Sequence, residues 1–364
     1  MLNQFKLNEK KINHSLSAPN RLAQIAAVDD ETINLSSNSN PLGQTTKKFM
    51  PHSELNELEA LKECLSNLNG LDKDSIYIGN LYQDLVSRII NAYCYGNDEI
   101  IISQYAFMHH ANVVSRSNNI RLKEIEAFKF NHDLSAMKAA ISSKTKLIFI
   151  VNPNNPTGTY LDELTIYQFL NSVPSRIKVV IDESFYEYIK DDYKSAACRI
   201  NEFNNLIVIR TLSKAYGLSK HHFEYLFANP TIINQLTRNN YMHEENDYKN
   251  ARNALLDQAH LEQTLMLNKK AMNFLTYHLD YLNVSYIPSQ TNFLMVNFGE
   301  NCQRIYGELI ENGIMTRSLE AYQLPHYLRI STGTLEQMEK LMTHLYALIS
   351  NKEFKNESTY RKKM

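Results

Sequence analysis

The chain has 364 residues, 43% of them hydrophobic, and a formal net charge of −1. Such a chain can bury a large core, and its near-neutral charge gives no electrostatic basis for binding nucleic acid or a membrane surface. The four cysteines lack disulfide or metal-binding spacing, the first residues lack an apolar signal core, and no apolar run approaches a membrane span. We therefore expect a cytoplasmic protein that binds neither nucleic acid nor membrane.

Residues 45–260 alternate between short apolar runs typical of buried strands and longer stretches with helical patterns. This alternation predicts a large α/β domain in which helices flank a mostly parallel central sheet. The clearest predicted strands are residues 75–78, 100–103, 147–151, 179–181 and 206–209.

A long helix is predicted over residues 261–282, and it leads into a second domain that extends to residue 364. In that domain, predicted strands at residues 292–296 and 327–331 precede a helix that begins at Leu335. The sequence thus predicts a smaller α+β domain after the large one.

Three of the predicted strands end in polar residues. Asn155 lies just past the run at residues 145–151, Asp182 ends the run that begins at Arg176, and Lys214 follows the run that begins at Leu206. The spacings of about 27 and 32 residues between these side chains fit strand–helix–strand units. Three parallel strands would direct an amide, a carboxylate and an amine into one crevice beyond their carboxyl ends, where open α/β sheets bind ligands.

This trio suits the chemistry of pyridoxal phosphate. The Lys214 amine can form a Schiff base with an aldehyde, and the Ser213 hydroxyl with nearby backbone N–H groups can bind a phosphate. Asp182 would keep the ring nitrogen protonated, and Asn155 would donate a hydrogen bond to the phenolic oxygen. The alternative is an ordinary solvated lysine in a surface loop, with Asn155 and Asp182 acting as helix caps.

The segments NPNNPTG at residues 152–158, IDES at 181–184 and RTLSKAYGL at 210–218 resemble class I and II aminotransferases of the histidinol-phosphate aminotransferase group. Further matching segments lie at residues 34–43, 288–294 and 327–334, so the resemblance covers almost the whole chain in the expected order. It implies the fold-type-I architecture of pyridoxal-phosphate enzymes, a homodimer, and a small domain that residues 1–44 join.

Arg329 lies in a short predicted strand between Leu328 and Ile330, so alternation directs it away from these apolar neighbours. An arginine fork suits bidentate binding of an α-carboxylate, and the family places its carboxylate-binding arginine at this motif position. The alternative is a surface arginine on an edge strand. Arg317 matches a second family arginine, which contacts the distal group of the substrate.

The resemblance also implies roles for individual residues. Lys214 and Asp182 would be catalytic, and Asn38 would join the two arginines in binding the substrate. Phe107 occupies the place of the aromatic ring that stacks on the pyridine, although an aromatic at a strand-to-helix junction is often plain core. The full set of expected cofactor-binding residues is Tyr82, Gln83, Phe107, Asn155, Asp182, Thr211, Ser213, Lys214 and His222.

The chain departs from the family pattern where the phosphate should bind. Leu81, Tyr82 and Gln83 replace the usual Gly-Ser-Asp, so Tyr82 must turn aside or contribute its own hydroxyl. His222 replaces an arginine eight residues after Lys214 and offers a weaker, pH-dependent contact. These changes put cofactor affinity and substrate identity in doubt.

Phe185 replaces a tyrosine that would share the phenolic oxygen with Asn155, and the substrate loop is altered at residues 242–247. The pairs at residues 109–110 and 221–222 are adjacent histidines without a carboxylate or cysteine set at metal-binding spacing, so no metal is predicted.

Three functional hypotheses remain. The leading one is an aminotransferase that acts on an amino acid or derived amine and a keto acid, in a specialised biosynthetic pathway rather than in histidine synthesis itself. The second is a decarboxylase of the same fold, because the position of the substrate carboxylate decides which bond breaks. The third is a catalytically degenerate homologue that acts as a binding protein, which the missing phosphate ligands favour and the retained Lys214 and Asp182 oppose.

Overall fold

The computed structural model describes residues 32–50, 56–106, 119–189, 193–221, 223–237 and 244–350. The strands are β1 Ile33–Asn34, β2 Ile76–Gly79, β3 Glu99–Ser103, β4 Arg121–Ile125, β5 Thr145–Val151, β6 Lys178–Asp182, β7 Leu206–Thr211, β8 Glu224–Ala228, β9 Tyr286–Ile287, β10 Phe293–Asn297, β11 Ile314–Met315, β12 Arg317–Ser318 and β13 Tyr327–Ser331. The helices are α1 Glu57–Asn69, α2 Tyr82–Tyr93, α3 Leu134–Ala139, α4 Glu163–Ser172, α5 Pro230–Leu236, α6 Glu245–Leu256, α7 Gln258–Tyr281, α8 Cys302–Glu311 and α9 Leu335–Ser350.

Seven strands form the large sheet in the order β2-β8-β7-β6-β5-β3-β4. Strand β8 runs antiparallel to β2 and β7, whereas the pairs from β7 across to β4 are parallel. Helices cover both faces, so the central strands are buried on both sides and read as continuous apolar runs. The predicted α/β architecture with a mostly parallel sheet is confirmed.

The smaller sheet is antiparallel in the order β12-β13-β10-β9 and packs on helices α7, α8 and α9. Strand β1 forms a separate parallel pair with β11, which places residues 33–34 beside the C-terminal part of the chain. The boundaries predicted at residues 44/45 and 260/261 stay a prediction.

Each predicted strand is present, and its ends agree with the prediction within a few residues. Ser75 was predicted to begin a strand, but it ends a 3-10 turn that precedes β2. The long helix begins at Gln258 rather than at residue 261, because the Asp257 side chain caps it by accepting a hydrogen bond from the His260 N–H.

The segment at residues 32–50 crosses from the small sheet to the turn that carries Lys214. Asn40 Nδ2 donates to the Ala215 carbonyl at 2.9 Å and to Thr264 Oγ1 at 2.9 Å. Gly217 adopts a φ of +75°, and a Cβ there would lie 2.1 Å from the Gly43 carbonyl oxygen. Glycine is therefore required where the two backbones meet.

Candidate active site

A cavity of about 380 Å³ lies beyond the carboxyl ends of β5, β6 and β7. Its wall includes the start of α2, residues 37–38, and Arg329 of β13. This size suits a small organic ligand, and the position is where open α/β sheets place their ligand sites.

Lys214 lies in the turn, three residues after the end of β7. It is half-buried and lines this cavity. Its Nζ lies 5.9 Å from the centre of the Phe185 ring. Burial lowers the pKa of Lys214, whereas attraction to Glu224 opposes that change. A lowered pKa increases the fraction of neutral amine, which is the nucleophilic form.

Asp182 is the last residue of β6, and it is buried at the base of the cavity. The Ser184 N–H donates to Asp182 Oδ1 at 2.9 Å, and the Ser184 hydroxyl donates to the same oxygen. The Tyr82 phenol also hydrogen-bonds to this carboxylate. Burial raises the pKa of Asp182, and the bonds from Ser184 and Tyr82 oppose the rise.

Asn155 lies four residues after β5 and meets the small sheet through Arg329. Arg329 Nη1 donates to Asn155 Oδ1 at 2.6 Å, and Nη2 donates to the Ser36 carbonyl at 2.6 Å. Arg329 is buried, so its desolvation lowers its pKa to about 10. Its Nε has no hydrogen-bond partner among the described residues. A buried guanidinium at a cavity wall, with an N–H donor that lacks an acceptor, is suited to binding an anionic group of a ligand.

Arg317 lies directly opposite Arg329 in the pairing of β12 with β13. It is exposed and does not line the cavity, so the structure sets it beside the site rather than within it.

Asn38 lines the cavity and is buried, with a φ of +57°. Its Oδ1 accepts a hydrogen bond from the Ser331 hydroxyl at 2.8 Å, and its carbonyl accepts one from Asn292 Nδ2 at 3.0 Å. These bonds fix the segment at residues 37–38 against the small sheet.

Helix α2 begins at the cavity with Leu81 as its N-cap, which provides no side-chain cap. Tyr82 is half-buried and Gln83 is exposed, and both line the cavity. The sequence allowed Tyr82 either to turn aside or to offer its hydroxyl to a phosphate. In the structure its hydroxyl instead hydrogen-bonds to Asp182.

The hydroxyls expected to bind phosphate are held by a carboxylate. Thr211 Oγ1 donates to Glu224 Oε1 at 2.9 Å, and Ser213 Oγ donates to the same oxygen at 3.4 Å. The Ser213 N–H donates to Thr211 Oγ1 at 2.9 Å. Ser213 lines the cavity, whereas Thr211 is buried behind Glu224.

Glu224 is buried, and its Oε2 has no hydrogen-bond partner within the described part of the chain. Burial raises the pKa of Glu224 to about 8, against the effects of Thr211 and Lys214. A neutral carboxyl group is therefore populated at physiological pH.

Sequence reasoning missed Glu224 and Ser184 as site residues. Glu224 is the one charged residue of the run at residues 223–228, and a charge inside an otherwise apolar strand was the available signal. Ser184 stands two residues after Asp182, a spacing that lets a hydroxyl bond back to a carboxylate.

Phe107 and His222 lie outside the described residues, so their predicted roles stay predictions. Phe185 lines the cavity and packs edge-on against Phe293, with ring centres 5.2 Å apart. Over the described ranges, no group of three or more His, Cys, Asp or Glu side chains is placed to hold a metal ion.

Pyridoxal phosphate fits this cavity on two conditions, one at Tyr82 and one at Glu224. Lys214, Asp182 and Asn155 could receive its aldehyde, its ring nitrogen and its phenolic oxygen, once the Tyr82 phenol leaves Asp182. The remaining end carries Glu224, whose ionised carboxylate would repel a phosphate. The residues fit the cofactor when the Glu224 carboxyl group is neutral.

Comparison with known proteins identifies the family. Residues 31–345 match "Aminotransferase class I and II". The chain is 35% identical over 317 residues to histidinol-phosphate aminotransferase 1 of Idiomarina loihiensis, covering 84% of this chain and 86% of that one. It is 33% identical over 339 residues to histidinol-phosphate aminotransferase 1 of Psychrobacter arcticus, covering 88% of each.

The fold is shared with a solved histidinol-phosphate aminotransferase from Sinorhizobium meliloti in complex with pyridoxal-5'-phosphate. The TM-score is 0.83 at 22% identity, over 93% of this chain and 96% of that one. Among the described residues, no helix has the length and apolar character to cross a bilayer. The chain belongs to the class I and II aminotransferases, a family of pyridoxal-phosphate-dependent enzymes.

Proposed function

We propose that this chain transfers an amino group between an amine and a keto acid through Lys214, with histidinol phosphate as the first amine to test. The observation that carries the proposal is the convergence of Lys214, Asp182 and Asn155 with Arg329 on one cavity. The identity of 33–35% to enzymes named histidinol-phosphate aminotransferase supports the choice of amine. A specialised pathway, expected from the altered phosphate end, stays a prediction.

Bound pyridoxal phosphate supplies an aldehyde that captures the amine and a protonated ring that withdraws electrons. Because burial lowers the pKa of Lys214, a larger fraction of its Nζ is neutral, and this neutral amine would remove the proton from the substrate α-carbon. Asp182 would accept a hydrogen bond from the ring N–H and keep that nitrogen charged. Asn155 Oδ1 accepts from Arg329, so its NH2 group would be the one to donate to the phenolic oxygen.

Arg329 is placed to bind the carboxylate of the amino-acid or keto-acid partner. Its Nε has no partner among the described residues, and its side chain is held by Asn155 and Ser36. We propose that Arg317, exposed on the adjoining strand opposite Arg329, contacts a distal phosphate that projects from the cavity.

The experiment combines borohydride reduction with an assay of amino transfer. Reduction of the cofactor-loaded protein should attach the cofactor to the peptide that contains Lys214, as peptide mass spectrometry would show. Histidinol phosphate with a panel of keto acids should yield the corresponding amino acids, and Lys214→Ala should abolish both results. A Lys214→Ala variant that still turns over would exclude this function.

The other hypotheses predict different products. A decarboxylase would release carbon dioxide from an amino acid without forming a keto acid. A binding protein would show neither product, even when saturated with cofactor. The family match favours amino transfer over both.

We also propose a homodimer, on the resemblance to the family. Sedimentation or light scattering on the purified chain tests this, and a mass of 42.2 kDa in solution would contradict it.

A further inference from the structure

We propose that the Glu224 carboxyl group occupies the subsite for the cofactor phosphate, and that only its protonated form admits that phosphate. The inference rests on the proposed function, because it assumes that the cavity receives pyridoxal phosphate. It adds a proton-dependent control of cofactor binding to that function.

The surroundings of Glu224 are those of an anion site. The Thr211 and Ser213 hydroxyls both donate to Glu224 Oε1, at 2.9 and 3.4 Å. The 12-residue helix α2 starts at the same cavity, and the positive end of its dipole favours negative charge. The Glu224 carboxyl group thus accepts hydrogen bonds from the hydroxyls that were expected to donate to a phosphate.

The second oxygen of Glu224 supports a ligand role. Oε2 is buried and lacks a hydrogen-bond partner among the described residues, while the residue as a whole is 8% exposed and lines the cavity. A buried polar atom without a partner is costly unless a ligand or water satisfies it. A protonated Oε2–H would donate directly to a phosphate oxygen, whereas an ionised group would face a phosphate that is close to a dianion at pH 7.

Three other titratable groups face Glu224 from the elements around it. Lys214 attracts its negative charge from the turn after β7, and Asp182 repels that charge from the end of β6. Tyr82 lies near it at the start of α2. Burial dominates these effects and raises the pKa of Glu224 to about 8. The Glu224 carboxyl group therefore loses its proton near pH 8.

A purely structural role for Glu224 is the competing explanation. Thr211 and Glu224 are register partners in the pairing of β7 with β8, so the carboxylate could act only by hydrogen-bonding the end of β7 to the start of β8. That role predicts that Glu224→Gln lowers stability and that the affinity for the cofactor phosphate does not depend on pH through Glu224.

The test compares dissociation constants for pyridoxal phosphate and for pyridoxal, measured by absorbance titration of the full-length apoprotein from pH 6.5 to 9. Both ligands carry the aldehyde, so their ratio cancels the pH dependence of bonding to Lys214. In the wild-type protein we expect the ratio Kd(pyridoxal phosphate)/Kd(pyridoxal) to rise about fivefold between pH 8 and 9, as a single protonation near pH 8 requires.

Glu224→Gln keeps the shape and a donor but cannot ionise, so its ratio should stay flat across this range. The matched control is Glu99→Gln, which alters a buried glutamate bonded to Ser142 at the first residue of β3, away from the cavity. It should keep the wild-type rise.

A flat ratio in the wild-type protein, or an unchanged rise in Glu224→Gln, would overturn the proposal. If the wild-type protein bound pyridoxal phosphate too weakly to measure while Glu224→Gln bound it, the proposed block by the ionised carboxylate would be supported, because the two side chains have the same shape. Failure of the proposed function would look different, because both ligands would then fail to react with Lys214 in either protein.

Discussion

Arg329 Nη1 donates a 2.6 Å hydrogen bond to Asn155 Oδ1 and so joins the small sheet to the loop after β5. The same guanidinium bonds to the Ser36 carbonyl through Nη2. One side chain therefore orients the amide beside the cavity and keeps further N–H donors, including that of Nε, for a substrate.

Arg329→Lys should lower kcat/KM for a donor that carries an α-carboxylate. A lysine provides a point charge and cannot bond Asn155, Ser36 and a carboxylate with fixed geometry. Loss of one hydrogen bond to a charged group costs about 1.5–3 kcal/mol, or roughly ten- to 150-fold in kcat/KM.

Steady-state kinetics with carboxylated and carboxylate-free amines would separate a role in binding the substrate carboxylate from a role in supporting the fold. The loss should be larger for carboxylated substrates, because carboxylate-free amines lose only the support that Arg329 gives to Asn155. Arg304→Lys on the exposed side of α8 should behave as wild type. Equal losses for both classes of amine would show that Arg329 acts by supporting the fold.

Asp182→Asn should reduce amino transfer by about 100-fold or more, the usual cost of removing a preorganised electrostatic contact from an active site. The amide keeps the size of the carboxylate but carries no charge to stabilise a protonated ring nitrogen. Single-turnover kinetics at saturating cofactor should show the loss in the proton-removal step. Wild-type rates in this variant would remove Asp182 from the mechanism.

Gly217→Ala should destabilise the protein by about 1–3 kcal/mol, the cost of holding a non-glycine residue in strained backbone geometry. The φ of +75° and the 2.1 Å approach of a Cβ to the Gly43 carbonyl both oppose a side chain. Urea unfolding would measure the change.

Gly307→Ala is the matched control, because Gly307 lies inside α8 with open space around its Cβ position. Alanine there should stabilise the protein by about 0.5–1 kcal/mol. If both variants lost stability equally, the contact between Gly217 and Gly43 would not be the cause.

Glu224 should make the apoprotein less stable as the pH rises from 4.5 to about 8, because burial raises its pKa across that interval. In this window the unfolded chain has lost a proton that the folded protein retains. Unfolding therefore releases a proton, and stability falls with rising pH until it levels off above about pH 8.

Glu224→Gln removes this dependence, so its Tm should exceed that of the wild type at pH 8.5, where the ionised carboxylate of the wild type stays buried. The gap should narrow toward pH 5. Thermal melts of the two apoproteins at matched ionic strength would measure it, and a gap independent of pH would contradict the assignment.

The sequence predicted the part of the site that depends on strand order. Lys214, Asp182 and Asn155 each follow an apolar run, and the carboxyl ends of β7, β6 and β5 are neighbours in the sheet. Glu224 could not be placed in the same way, because its contact with Thr211 depends on the register of an antiparallel pair. The bond from Tyr82 to Asp182 likewise joins a helix start to a distant strand end.

The segment at residues 32–50 links the small sheet to the large domain and so limits how the two can move. Its Ser36 carbonyl is bonded to Arg329 on the small sheet, and its Asn40 side chain is bonded to the turn after β7. A hinge rotation of one sheet away from the other would have to break at least one of these two bonds. We therefore expect little hinge motion between the two sheets and a pocket of nearly constant shape.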